Sequence, residues 1–275
     1  MRPLMSIVIA NYNYGLFLET AIQSILSQCN IEMQLPCGAV VELIIVDGGS
    51  TDNSLEVIRK YARSVAWWCS EKDTGQGAAL NKGFKQASGE YYLWLNADDV
   101  LLPGALEVVA KEAEISGARW IVGNTKIIDE KNRVLKCLRD GAWREAMYSH
   151  APIRVYGPSA VFHRSLFEWV GGFDETLHYT MDTDLWLKFK NMGERYLRVN
   201  RYLWGFRCHR LSKTNSGELA ATESDQDAER RRVYQTNGLV VRWWNPMVNR
   251  LWRLFNGAYF WAAVDSVRWR GRKVF

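Results

Sequence analysis

Ser70–Asp99, SEKDTGQGAALNKGFKQASGEYYLWLNADD, runs from a polar, glycine-punctuated loop through an amphipathic helix into a short apolar strand, Tyr91–Leu95. The helix carries Asn81, Lys82 and Lys85, and the strand delivers Asn96, Asp98 and Asp99 at its carboxyl end. Helical spacing giving way to a compact apolar run marks an αβ unit. Two adjacent carboxylates just past an apolar strand are costly unless something positive neutralises them. A divalent cation on a diphosphate would do so.

The preceding sequence repeats the unit. Met5–Ala10 (MSIVIA) is a β-branched strand, and LFLETAIQSILSQ after it spaces Leu16, Leu18, Ile22, Ile25 and Leu26 as a helix does. Val40–Val46 is almost continuously apolar, as a strand buried on both faces is. It ends in Asp47-Gly48-Gly49-Ser50-Thr51-Asp52, a turn able to cap the helix NSLEVIRKYA. Val65–Cys69 is a third strand. The alternation implies an α/β fold with a doubly wound, mostly parallel sheet, whose ligands bind outside the carboxyl ends of the strands. Those ends supply Asn11, Tyr12, Asn13, Asp47, Asp73, Asn96, Asp98 and Asp99 to one crevice.

Beyond Pro103 the sequence gives an exposed helix (ALEVVAKEAEISG) and a hairpin, RWIVGNTKIID and VLKCL about a turn at Glu130–Asn132. A loop-and-strand passage follows over Pro152–Phe162. The Gly171–Asp174 turn then leads into LHYTMDTDLWLKFKNMG, where Leu185, Trp186 and Phe189 share an apolar face. Asp182 and Asp184 open that helix, where capping is the plain explanation.

The 275 residues suffice for one large α/β domain or two small ones. Five cysteines without CxxC or Cys/His spacing read as thiols in a reducing compartment, not as a zinc site. The start MRPLMSIVIANYNYG reads as a strand rather than a leader, and no apolar run reaches the roughly 18 residues of a membrane span. A cytoplasmic chain is expected. Its net charge of +5 is uneven: from Glu229 onward ten Arg/Lys face two acids, +8, leaving −3 for residues 1–228.

Six segments together resemble the family 2 glycosyltransferases, nucleotide-sugar-dependent enzymes of the GT-A fold. They are Ser6–Gln28, Glu42–Ser54 (ELIIVDGGSTDNS), Asp73–Phe84 (DTGQGAALNKGF), Gly89–Asp99 (GEYYLWLNADD), Gly157–Phe189 and Phe206–Thr214 (FRCHRLSKT). The resemblance implies a Rossmann-like parallel sheet, a small antiparallel sheet on the acceptor side, and C-terminal helices. It implies inverting transfer of a sugar from a nucleoside diphosphate, UDP by preference, to an acceptor hydroxyl on a glycan or lipid-linked glycan. Surface polysaccharide or glycolipid synthesis is the expected setting. Asp98 falls on the family's metal-binding aspartate, with Asp99 beside it, for Mn2+ or Mg2+. Asn96 heads the triplet where an aspartate is common, leaving it a ribose or diphosphate contact. Asp47 matches the residue that bonds the pyrimidine, with Tyr12 to stack on it and Asn11 and Asn13 to hold backbone or ribose. Asp73 and Lys82 match further donor contacts, although a lysine there also fits simple snorkelling. Asp182 matches the catalytic base, with Met181 where many relatives carry Glu, and Asp184 becomes a cap or orienting partner. His209, with Arg210 or Lys213, matches a loop closing on the diphosphate, His209 as metal ligand or phosphate donor.

The division expected is residues 1–104 for the nucleotide-sugar half, 105–228 for the acceptor half and 229–275 for a basic, Trp-rich helical segment. That last segment holds Trp243, Trp244, Trp252, Trp261 and Trp269 among arginines. It suits a peripheral position on an anionic membrane surface through residues 238–275, or packing on the body or a second subunit. Nucleic acid is not an expected partner. A nucleotidyltransferase would need a lysine-bearing glycine loop after the first strand, and a dehydrogenase a GxGxxG; NYNYGLFLE is neither. A non-catalytic sugar-binding module would not need Asp98, Asp99 and Asp182 together.

Overall fold

The computed structural model describes residues 2–139, 155, 157–210, 223–239, 247, 250–251, 254–255 and 257–275. Lys213, His150, Trp243, Trp244, Trp252 and most of the loop before Gly157 lie outside the described residues.

The first four strands, β1 (Met5–Asn11), β2 (Val41–Asp47), β3 (Trp67–Ser70) and β4 (Tyr91–Asn96), are parallel in the order β3-β2-β1-β4. Helices α1 (Gly15–Leu26), α2 (Ser54–Tyr61) and α3 (Gln76–Gln86) connect them. Strand alternation sends Ile7, Ile9, Leu43, Ile45, Leu93 and Leu95 to one face and Val8, Ile44, Val46, Tyr92 and Trp94 to the other. Helices cover both faces, so both sets are apolar. Helix α3 lies so close that a Cβ on Gly83 would stand 2.4 Å from Val8 Cγ1. Only glycine fits that approach.

Past β4 come β5 (Val100–Leu101), α4 (Ala105–Ser116), β6 (Trp120–Ile128), β7 (Val134–Leu138), β8 (Ala160–His163), α5 (Arg164–Trp169), α6 (Met181–Asn191) and β9 (Leu197–Arg207). The hairpin is present as β6–β7, and β8 joins β4 to β6 through antiparallel pairs. The antiparallel portion is thus continuous with the parallel one, in the path β3-β2-β1-β4-β8-β6-β9-β5. Helix α4 is not an exposed helix. Ala105, Leu106, Val109, Ala110 and Ala113 fall on one side at helical spacing and are buried. Helix α6 is fixed by Trp186, whose ring stacks on Trp94 and Trp120 at centroid distances of 5.6 and 5.2 Å.

Helices α7 (Glu223–Thr236) and α8 (Ala258–Trp269) follow. Helix α8 lies along β7, and the residues after it return to the hairpin, Lys273 bridging to Arg133 and Val274 burying beside Val134 and Cys137. Asp265 fastens the helix, accepting from Arg139 Nε at 2.8 Å, from Arg139 Nη2 at 2.6 Å and from the Tyr202 hydroxyl. Lys126 Nζ sits 3.5 Å from the centre of the Trp269 ring. Removing one partner of an enclosed ion pair strands the other. Asp265→Ala should therefore cost about 3–5 kcal/mol of folding free energy, measured by urea unfolding against wild type.

Candidate functional site at the carboxyl edge of the sheet

Strand register sets the first wall of the site. Asn11 at the end of β1 pairs with Asp47 at the end of β2, Asp47 with Ser70 of β3, and Ala10 with Asn96 of β4. Asp47 is fully buried and accepts from Asn11 Nδ2 (2.6 Å), the Ser50 amide (2.9 Å), the Ser50 hydroxyl (2.5 Å) and the Ser70 hydroxyl (2.6 Å). Burial works against its charge, but bonds from Ser50, Ser70 and Asn11 outweigh that and hold the carboxyl below its ordinary value. Asn13, at φ 56°, accepts the Thr51 amide at 2.8 Å. Asp52 receives the amides of Gly15 (2.8 Å) and Ser54 (3.0 Å), so one carboxylate serves the starts of α1 and α2. Tyr12 is 61% exposed. Asn11 Oδ1 is buried and has no partner among the described residues.

A second wall comes from the loop and helix α3. Asp73 accepts the Gly75 amide at 2.9 Å and lies against Gly48, where an added Cβ would stand 2.8 Å from Asp73 Oδ2. Burial raises its pKa, with Gly75 and Lys82 opposing. Lys82 reaches Glu71 at 2.7 Å and remains about a third exposed. Gln76 donates to Asn96 Oδ1 at 2.7 Å, and Asn96 Nδ2 donates to Asp99 Oδ2 at 2.8 Å. Asn96 is thereby engaged at both ends within the protein.

The structure divides the two adjacent carboxylates. Asp99 turns inward, fully buried, taking the Arg207 amide at 2.9 Å on its other oxygen. Burial, with the Asp98 charge beside it, pushes its pKa well up. Asp98 instead meets His209, whose Nε2 stands 3.0 Å from Asp98 Oδ2. The His209 ring is buried against Phe17 and Tyr14 at centroid distances of 4.5 and 5.7 Å. Bonded to both carboxylate residues is Arg207, 1% exposed. Its Nε donates to the Asp98 carbonyl (2.6 Å), and its Nη1 to Asn132 Oδ1 (2.7 Å) and the carbonyls of Asp129 (3.1 Å) and Glu130 (3.3 Å). Sequence reading assigned no element to Leu197–Arg207 and passed over Arg207. The signal was the apolar run LWGF before Arg207, with His209 two residues on and so on the same side of an extended chain.

Asp182 stands in the first turn of α6, its Oδ1 accepting the Thr183 amide at 2.6 Å. A Cβ on Gly157 would lie 3.1 Å from the Trp94 ring and 3.8 Å from Asp182 Oδ2, so this glycine separates β4 from the carboxylate. Enclosure raises the Asp182 pKa, opposed by bonds from Thr183 and Gly157. Asp184 is neither a cap nor in contact with Asp182 here. It pairs with Lys188 at 2.7 Å and accepts from Asn237 at 2.8 Å, tying α6 to the end of α7. The start of α6 is held by Glu229 of α7, which accepts the amides of His178 (2.9 Å), Tyr179 (2.8 Å) and Thr180 (2.7 Å) and the Thr180 hydroxyl (2.8 Å). On the other side Asn81 of α3 clamps the turn, donating to the Phe173 carbonyl at 3.0 Å and accepting its amide at 2.9 Å. Neither partner was legible in sequence, because each acts across a long separation.

Asp98 and His209 fit the donor set of a divalent cation, a carboxylate oxygen and an imidazole nitrogen side by side; the other ring nitrogen, His209 Nδ1, is buried and unpartnered among the described residues. Among the described residues no group of three or more His, Cys, Asp or Glu is placed to hold a metal. A two-ligand site of this kind suits an ion whose other ligands are phosphate oxygens and water.

The model of the family described as Glycosyl transferase family 2 matches residues 6–167. An uncharacterized glycosyltransferase of Rickettsia prowazekii is 29% identical over 222 residues, 78% of this chain and 67% of that protein. Glycosyltransferase GlyG of Streptococcus pneumoniae is 30% identical over 135 residues, 48% of this chain and 42% of its own. S. aureus TarS (residues 1–349), solved with UDP-GlcNAc, superposes with a TM-score of 0.65 at 16% identity, over 85% of this chain and 65% of that one. The mannosyltransferase PcManGT of Pyrobaculum calidifontis, solved with GDP-Man and Mn2+, gives 0.58 at 16% identity, over 96% and 84%. At such identities the two structures establish the shared fold. The family model covers more than half of the sequence, including the run of parallel strands from β1 to β4, and the chain belongs to glycosyl transferase family 2.

Proposed function

We propose that the chain moves a sugar from a nucleoside diphosphate to an acceptor hydroxyl with inversion, Asp182 serving as base. The observation that carries this reading is the Asp98–His209 pair at the carboxyl edge of a parallel sheet, built to meet a charged diphosphate. Asp98 and His209 would hold a Mn2+ or Mg2+ ion, which when bound neutralises charge on the leaving diphosphate. Asp99 and Arg207 position that pair from beneath. The unpartnered Asn11 Oδ1 accepts a hydrogen bond from the base or ribose, and the exposed Tyr12 ring stacks on the base. Asp47 and Asn13 fix that wall, while Asp73 and Lys82 flank the diphosphate. UDP is the first nucleotide to test and GDP the second, the two carried by the TarS and PcManGT donors. A glycan or lipid-linked glycan, in surface polysaccharide or glycolipid synthesis, is the acceptor class.

In the reaction the acceptor hydroxyl bonds to the Asp182 carboxylate and attacks the anomeric carbon. Its proton passes to Asp182 as the carbon–oxygen bond to the diphosphate breaks, the electron pair leaving with the diphosphate. Asp182 must therefore be ionised, and enclosure raises its pKa. The acidic limb of the kcat/KM profile should lie above the ordinary aspartate value of 3.8, activity being lost as pH falls through it.

Screening of UDP- and GDP-sugars with Mn2+ or Mg2+, read as donor hydrolysis and acceptor transfer, tests the assignments. Asp182→Asn should bind nucleotide as wild type does and lose about 10²–10⁴ in transfer rate; transfer near the wild-type rate removes it as the base. His209→Ala should raise the cation concentration for half-maximal activity by about 10–100-fold, and Asp98→Ala should abolish hydrolysis. A cation response unchanged in both variants would take the metal away from this pair.

A further inference from the structure

Helix α8 presents two unlike faces. One carries Ala258, Asp265 and Trp269 against the hairpin; the other carries Phe260, Trp261, Val264 and Val267, which are 64%, 50%, 41% and 81% exposed. A helix apolar on its outer face as well as its inner one has an unmet partner. The outward charge of residues 257–275 is of one sign. Arg268, Arg270, Arg272 and Lys273 are exposed, and Asp265, the acid of residues 257–275, is turned inward onto Arg139 and Tyr202.

We infer that this face docks on an anionic lipid surface. A second copy would bring the same cations against themselves, since the segment has no outward acid to meet them. A bilayer bearing acidic headgroups supplies the complement: Phe260, Val264 and Val267 enter the boundary of headgroups and acyl chains, Trp261 sits at its level, and the basic residues face phosphate. The helix lies on the surface rather than across it, and among the described residues no helix is long and apolar enough to cross a membrane. The Asp265 anchorage fixes the orientation of α8 on the hairpin, so the lipid face and the body hold a set relation. Docking of this kind places the enzyme beside a lipid-linked acceptor.

Co-sedimentation tests it on the full chain, with vesicles of phosphatidylcholine alone and of equal parts phosphatidylcholine and phosphatidylglycerol. Wild type should pellet with the mixture, remain in solution with phosphatidylcholine, and release as salt rises. Phe260→Ser with Val267→Ser should weaken binding about tenfold or more, and Arg268→Ala with Arg270→Ala by about thirtyfold. Circular dichroism and melting of both should match wild type, since all four side chains are exposed. Wild type staying in solution with the mixture overturns the inference, as does pelleting of both variants like wild type. A dimer by light scattering that Phe260→Ser with Val267→Ser dissociates also overturns it, making a second copy the occupant. Vesicle binding needs no turnover, so it stands or falls apart from the donor chemistry; Asp182→Asn should pellet as wild type does.

Discussion

The site depends on one buried guanidinium. Placing the Arg207 charge inside the protein costs several kcal/mol unless its donors are met. Nε and Nη1 are met by backbone carbonyls of two separate segments, the Asp98 loop and the β6–β7 turn, and by Asn132, while Nη2 is buried without a partner among the described residues. The same residue's amide donates to Asp99, and its side chain lies over the Phe17 ring at 5.1 Å. A single position thus joins the carboxyl end of β4, the hairpin turn and helix α1. Because His209 follows two residues later, the strand that seats Arg207 also delivers the imidazole to Asp98. Neighbouring Asp98 and Asp99 accordingly have different work: one is bonded into the interior and the other faces His209.

Similar bracing recurs on the far side of the crevice. Trp186 between Trp94 and Trp120 fixes the axis of α6, and Glu229 fixes its first turn through three consecutive amides. Burial disfavours the Glu229 charge, yet the His178, Tyr179 and Thr180 bonds hold its pKa below the usual value, so it remains an acceptor at neutral pH. Asn81 and Gln76 of α3 link that turn and Asn96 to one helix. The wall at the strand ends and the wall at the start of α6 are therefore joined through one helix, which is what the proposed displacement between two bound reactants needs.

Much of this was legible in sequence. The parallel strands announced themselves by continuous apolar runs, and their polar ends, Asn11, Asp47 and Asn96, fall on one edge as the alternation implies. Asp98 and His209, 111 residues apart, were each singled out by motif, and the structure brings them together. What sequence did not yield was the set of residues that act only through a distant partner. Arg207 and Glu229 look like any strand-end arginine and helix glutamate, because the carbonyls and amides they serve leave no trace in side-chain pattern. Lys82 and Asn96 show the converse: each stands in a motif at the crevice, but Glu71, Gln76 and Asp99 engage them within the protein. The tail divides in the same way. Its interleaved tryptophans and arginines left a membrane surface, the body and a second subunit open, and only the packing of Asp265 on Arg139 showed which face of α8 belongs to the body.

The central claim is that Arg207 sets the geometry in which Asp98 and His209 act. Calorimetric titration of Mn2+ in the presence of UDP, and again of GDP, into wild type and Arg207→Lys tests it most directly. Lysine keeps the charge but cannot span the Asp98 carbonyl and the hairpin turn at once. In a variant that still unfolds cooperatively, Mn2+ should bind about tenfold or more weakly. An affinity equal to wild type would contradict the account.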